Sequence, residues 1–131
     1  MPYAVVIDAE LRLVVTKASG SVTLEDVAAH RAELMAHPAF LSDFAQVLDV
    51  RGTGFLPAFD ELRRLSVKDA FSMESRRAVL VDSTVQFGVA RTYSGLRAGV
   101  GAGLQPFQSL ADACEWIGVP MDAVVRLLDA I

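Results

Sequence analysis

The run RRAVLVD at residues 76–82 sets two arginines before four consecutive apolar residues. Successive side chains of a β-strand point to opposite faces, so an unbroken apolar run fits a sheet that is covered on both sides. The segment AQVLDV at 45–50 has the same character. Strands of this kind need helical layers above and below, and the intervening sequence supplies segments with helical spacing.

The chain opens with two β-branched runs, YAVVID at 3–8 and LRLVVTK at 11–17, split by Ala9 and Glu10, which reads as a hairpin. Ser19-Gly20-Ser21 is expected to break the second strand. Thr23 is placed to cap a helix, with Asp26 three residues on as an approximate capping box. The inner face of that helix is expected to carry Leu24, Val27, Ala28, Leu34 and Met35, and Pro38 to end it. The order then becomes strand 45–50, helix 57–71, strand 76–82, helix 84–98. Pro57 suits a first helical turn, Phe59, Leu62 and Leu65 form an inner stripe, and Val85, Val89, Tyr93 and Leu96 form another. Gly99, Gly101 and Gly103 lead to a short strand at 104–109. Two short helices, LADACEWIG and MDAVVRLLDAI, close the chain around Gly118-Val119-Pro120. The fold class expected is α/β: a mostly parallel sheet with an N-terminal antiparallel hairpin and helices packed on it. One domain is expected over residues 1–131.

Hydrophobic residues make up 53% of the chain and charged residues 21%, which suits a packed globule and not a disordered segment. The net charge of −4 argues against nucleic acid as a partner, because such binding neutralises phosphates. The apolar run Tyr3 to Ile7 is too short to span a membrane, and the first residues do not form a secretory leader. With a single cysteine, Cys114, these features point to a cytoplasmic protein with no integral membrane segment. Charge is unevenly spread. Arg51 to Arg97 holds eight basic and five acidic residues, and the remainder four basic and eleven acidic. The asymmetry is either a surface for an acidic partner or for self-association, or chance.

The segments SGSVTLEDVAAHRAEL, FAQVLDVRG, SRRAVLV, FGVARTY and ACEWIG, in this order after a hairpin, resemble the STAS domain, and within it the SpoIIAA-like branch of small bacterial proteins. The resemblance implies a regulatory or interaction domain, or a binding module distantly similar to the lipid-carrying SEC14 fold. STAS-class antagonists of anti-sigma factors carry a phosphorylated serine just after the central strand. The corresponding stretch here is Asp49-Val50-Arg51-Gly52-Thr53-Gly54, with Thr53 as its one hydroxyl in place of a serine pair. The resemblance therefore points to Thr53 as a phosphoacceptor.

Several residues are candidates for chemistry. Arg51, Gly52, Thr53 and Gly54 read first as a tight turn that uses glycine freedom, and second as an anion or partner contact at a helix N-terminus, flanked by Arg63 and Arg64. Asp49 and Asp82 lie near the ends of two strands. They can hold a divalent ion or share a proton, or else Asp82 or Ser83 caps the next helix and Asp49 takes backbone or arginine hydrogen bonds. His30, Glu33 and His37 share a helix face, read as solvated and not as a zinc site. Cys114 has core spacing, Trp116 sits beside it to cover the end of the sheet, and no GxSxG nucleophile elbow exists. Arg76 and Arg77 must face opposite ways. Arg91 and Tyr93, on a helix with Gly88 and Gly95, mark a possible subunit or ligand surface.

The function expected is a non-enzymatic interaction module, with a protein partner or a second copy of itself, and no cofactor. The next reading is a carrier or sensor of a small apolar or anionic ligand, for which the high apolar fraction leaves room. The third is a metal-assisted phosphate enzyme using Asp49 and Asp82.

Overall fold

The computed structural model describes residues 2–55, 64, 69–72, 74–96 and 103–131. Strands β1 (Tyr3–Asp8) and β2 (Leu13–Ser21) form the opening antiparallel hairpin. Its turn is held by the Leu11 N–H, which donates to Asp8 Oδ1 at 3.0 Å, and by Arg12 in the left-handed region at φ 52°. Helix α1 (Leu24–Ala36) begins at a full capping box: Asp26 N–H donates to the Thr23 hydroxyl, and Thr23 N–H to the Asp26 carboxylate. Then come β3 (Ala45–Phe55), β4 (Arg77–Leu80), α2 (Thr84–Leu96), β5 (Leu104–Phe107), α3 (Leu110–Ile117) and α4 (Met121–Asp129).

The five strands among the described residues lie side by side in chain order, the first pair antiparallel and the others parallel. Strand alternation divides the core into two layers. Leu13, Val15, Val47, Ala78 and Leu80 face α3 and α4, where Ala113, Cys114, Val124 and Leu128 complete a buried cluster. Val50, Val79 and Val81 face the other way, with Ala90 and Tyr93 of α2. Val14 and Leu34 of the same side join Phe44, Ala70 and Phe71. Both faces of the RRAVLVD strand are covered, as its apolar run requires.

The structure corrects three local expectations. Ser19-Gly20-Ser21 does not break β2 but forms its last three residues, and residues 51–54 are not a loop. The two stretches pair with each other, Ser19 opposite Gly52 and Gly20 opposite Thr53, beyond a register shift at Lys17/Ser19. Each reads as a turn alone because the partner that satisfies its backbone is about thirty residues distant in sequence. Neither Gly52 nor Gly54 has a positive φ. The inner faces of the helices are also rotated from expectation. Met35 is 71% and Val85 70% exposed, while His30 and Gln86 take buried positions on α1 and α2. The expected helix at 57–71 lies outside the described residues except for 64 and 69–71, as do residues 97–98 of the helix expected at 84–98 and Gly99 and Gly101.

The turn after α3 needs its glycine. Gly118 sits at φ 88°, and its N–H and that of Val119 both donate to the Cys114 carbonyl. A Cβ is strained in that conformation. Gly118→Ala should lower unfolding free energy by about 1 kcal/mol, measured by urea titration. An unchanged midpoint would show that the turn relaxes.

Candidate functional site

Close-packed protein interiors leave few voids larger than a water molecule. Here a cavity of about 130 Å³ separates the sheet from α1 and α2. Leu48, Val50 and Val79 form its floor, Val27 and Leu34 line it from α1, and Val89 from α2. Apolar cavities of ~150 Å³ are large enough to hold benzene.

Polar side chains cross this apolar wall as a connected chain. Gln46 Nε2 donates to Thr16 Oγ1 at 3.0 Å, and Arg77 Nε donates to Gln46 Oε1 at 3.2 Å. Arg77 Nη1 pairs with Asp69 Oδ2 at 2.7 Å, the side chains being 10% and 5% exposed. The Tyr93 hydroxyl donates to the same Asp69 oxygen, and Arg31 Nη2 reaches the Tyr93 oxygen at 3.5 Å. Asp69 Oδ1 accepts from Phe71 N–H at 3.0 Å, and the Arg77 guanidinium lies 4.5 Å from the Phe71 ring centre. A buried ion pair costs several kcal/mol to desolvate and persists only when further hydrogen bonds complete it, as they do at Asp69. Burial raises the Tyr93 pKa, with the Asp69 charge adding to the effect, so the phenol keeps its proton to donate.

His30 is the unusual member of the site. It is only 9% exposed, its ring stacks on Tyr3 at 4.4 Å between centroids, and its Nδ1 has no hydrogen-bond partner among the described residues. Burial, followed by the charges of Arg77 and Arg31, pushes its pKa from the ordinary 6.5 to about 4. The imidazole is therefore neutral at pH 7. Tyr3 is likewise neutral, its pKa pushed up to about 12 by burial and then by Asp26.

These strands and helices can be compared with known proteins. No family model matches the sequence, and no curated protein matches it. A solved structure does: an uncharacterized protein of the DUF3478 family from Shewanella loihica PV-4, described as having a SpoIIAA-like fold. The likeness has a TM-score of 0.60 and covers 88% of this chain and 93% of that one, at 20% sequence identity. The fold is SpoIIAA-like. At that identity the match concerns the backbone arrangement, the same mixed sheet and helical layers that the sequence pattern led us to expect.

On this SpoIIAA-like framework the residues singled out from the sequence fall in separate places. Arg51, Gly52, Thr53 and Gly54 form the end of β3. Arg51 is turned back on Asp49, with Nε and Nη2 each 2.9 Å from one of its two carboxylate oxygens. Burial raises the Asp49 pKa, but hydrogen bonds from the Arg51 side chain and N–H outweigh it and hold the carboxyl below its usual range. The Thr53 hydroxyl donates to the Val50 carbonyl at 2.6 Å, and Gln86 Nε2 approaches Thr53 O and Oγ1 at 3.4 Å each. Gln86 also accepts from Asp82 N–H at 2.8 Å, and its own N–H is capped by Ser83 Oγ at 3.1 Å.

Asp82 is exposed, and among the described residues no cluster of three metal-ligating side chains occurs. Arg64 is exposed, and Arg63 lies outside the described residues. Arg91 is exposed while Tyr93 is buried at the cavity, so α2 presents them to different surroundings. No described atom lies within 4 Å of a Cβ built on Gly88 or Gly95.

The face of His30, Glu33 and His37 is split. Glu33 and His37 are exposed, His37 Nδ1 accepting from Ala39 N–H, whereas His30 is buried, contrary to the solvated reading. Cys114 is buried, which raises its thiol pKa. Arg76 and Arg77 do face opposite ways: Arg76 lies over Trp116 at 5.6 Å and donates to its carbonyl, while Arg77 enters the cavity wall. Gln46, Asp69 and Gln86 were missed altogether. A polar residue inside an otherwise apolar strand, Gln46 in AQVLDV, was the available signal.

The depressed His30 pKa links stability to pH. Between about pH 6.5 and 4 the unfolded chain binds a proton that the folded chain refuses, so stability falls as pH falls through that window. By pH 5 the loss from this group is about 2 kcal/mol. His30→Phe should remove that part of the slope in urea titrations at pH 7 and pH 5. Parallel slopes for the two proteins would show that His30 protonates freely in the fold.

Proposed function

We propose that this chain is a single-domain binding module for a small, mostly apolar molecule held between the sheet and helices α1 and α2. The observation that supports it is a cavity of about 130 Å³ with a buried histidine nitrogen in its wall that has no partner among the described residues. The space is half open and its wall is largely apolar, so an apolar molecule that enters it removes hydrocarbon surface from water. Binding of that kind stabilises the folded chain in proportion to ligand concentration over Kd. The likeness to a SpoIIAA-like structure is compatible with such a module but does not choose its ligand.

The interaction-module reading has less support. It placed a contact surface on residues 51–54, yet Arg51 is engaged by Asp49 and the Thr53 hydroxyl by the Val50 carbonyl. A partner or a kinase would first have to displace these internal hydrogen bonds.

Toluene tests the cavity directly. Toluene-saturated buffer should raise the unfolding temperature of the wild-type protein. Ala90→Leu, which extends a buried α2 side chain into the cavity, should keep the fold and erase the rise. Equal responses of the two proteins, or none in either, would remove the reading.

A further inference from the structure

The polar side of the cavity is chemically lopsided. An arginine offers five N–H donors, and a carboxylate accepts on two oxygens. At Arg77, Nε is used by Gln46 and Nη1 by Asp69, while Nη2 has no hydrogen-bond partner among the described residues. Both oxygens of Asp69 are engaged: Oδ1 by Phe71 N–H, and Oδ2 by both Arg77 and Tyr93. The ion pair is therefore a one-nitrogen contact that leaves an arm of the guanidinium unmatched. Of the described lining residues Asp69 is the one carboxylate, while Arg31 and Arg77 both contribute guanidinium groups.

His30 adds to the imbalance. Neutral imidazole carries one N–H donor. No hydrogen bond to either ring nitrogen occurs among the described residues, and the ring lines the same cavity as Arg77. Tyr3, Gln46, Gln86 and Tyr93 add polar atoms to the wall, and most of the other lining side chains are hydrocarbon.

We propose that the molecule held here is the anion of a small apolar carboxylic acid, its carboxylate received by Arg77 Nη2 and its hydrocarbon part packed on Leu48, Val50, Val79 and Val89. The inference rests on the cavity reading above and specifies its ligand. A carboxylate suits the unmatched guanidinium arm because it accepts charge-assisted hydrogen bonds in the plane of the fork, and its second oxygen can take the His30 N–H. The volume accommodates about one aromatic ring or a short branched chain.

Benzoate and toluene, titrated separately into the full chain at pH 7 and followed by NMR, separate the two levels of the argument. Benzoate should bind roughly tenfold or more tightly than toluene, the contribution of a charge-assisted hydrogen bond. Arg77→Gln would leave Asp69 buried without its ion pair and can unfold the protein, so the informative variant is Gln46→Glu. It retains the side-chain shape and gives Arg77 Nε a carboxylate from the protein itself. That substitution should abolish the preference for benzoate over toluene. Benzoate binding no tighter than toluene, or a preference that survives Gln46→Glu, would overturn the carboxylate proposal and leave the cavity reading intact. If toluene also fails to bind, both fall.

Discussion

The Arg77–Asp69 ion pair governs one whole side of this molecule. Arg77 stands at the first position of β4, where a purely apolar residue would serve the sheet well enough. Its buried charge instead demands partners, and they come from elsewhere: Gln46 on β3 with Thr16 behind it on β2, Asp69 ahead of the strand, Tyr93 on α2 and Arg31 on α1. Each link fixes a distance between elements that hydrophobic packing alone would leave adjustable. Removing either member of such a pair strands a charge in a low-dielectric interior, typically at a cost of about 3–5 kcal/mol. The same polar contacts run along the wall of the cavity.

The opposite side of the sheet behaves differently. Leu13, Val15, Val47, Ala78 and Leu80 meet α3 and α4 in a wholly apolar layer, and Cys114 is absorbed into it. The two adjacent arginines at the start of β4 mark the division, Arg76 covering the outside of α3 at Trp116 and Arg77 organising the cavity. One layer is a packed foundation and the other borders the cavity. A reader of the sequence sees only RR before an apolar run.

Much of the architecture was legible because it depends on local periodicity. The hairpin, the capping box at Thr23, the buried strands and the paired terminal helices follow from apolar spacing and cap residues, and the structure has them. What could not be read were features satisfied by distant residues. Ser19-Gly20-Ser21 and Gly52-Thr53-Gly54 have turn composition, but pairing with each other makes them strand. His30 and Gln86 are polar residues on helices, which pattern reasoning assigns to solvent. They are inside because the inner side already holds polar partners or space: Thr53 and Asp82 for Gln86, Tyr3 and the cavity for His30. Met35 and Val85 were misplaced for the same reason, since the arcs assigned to the core were centred on apolar residues alone. The site was hidden because polar residues that form it are scattered over β2, β3, β4, α1 and α2, and no short motif contains them.

The register shift between β2 and β3 has a geometric effect beyond the pairing itself. From Lys17 to Ser19 the second strand advances two residues while the third advances three, from Asp49 to Gly52. One extra residue in a strand reverses the up–down alternation of everything after it. Without it, Thr53 would share the side of Val47 and Asp49, beneath α3 and α4. With it, Thr53 emerges toward α2, where Gln86 reaches it. That single inserted residue acts as a half-twist in the chain, letting the end of the longest strand fasten the first turn of a helix that the alternation upstream would have placed behind it.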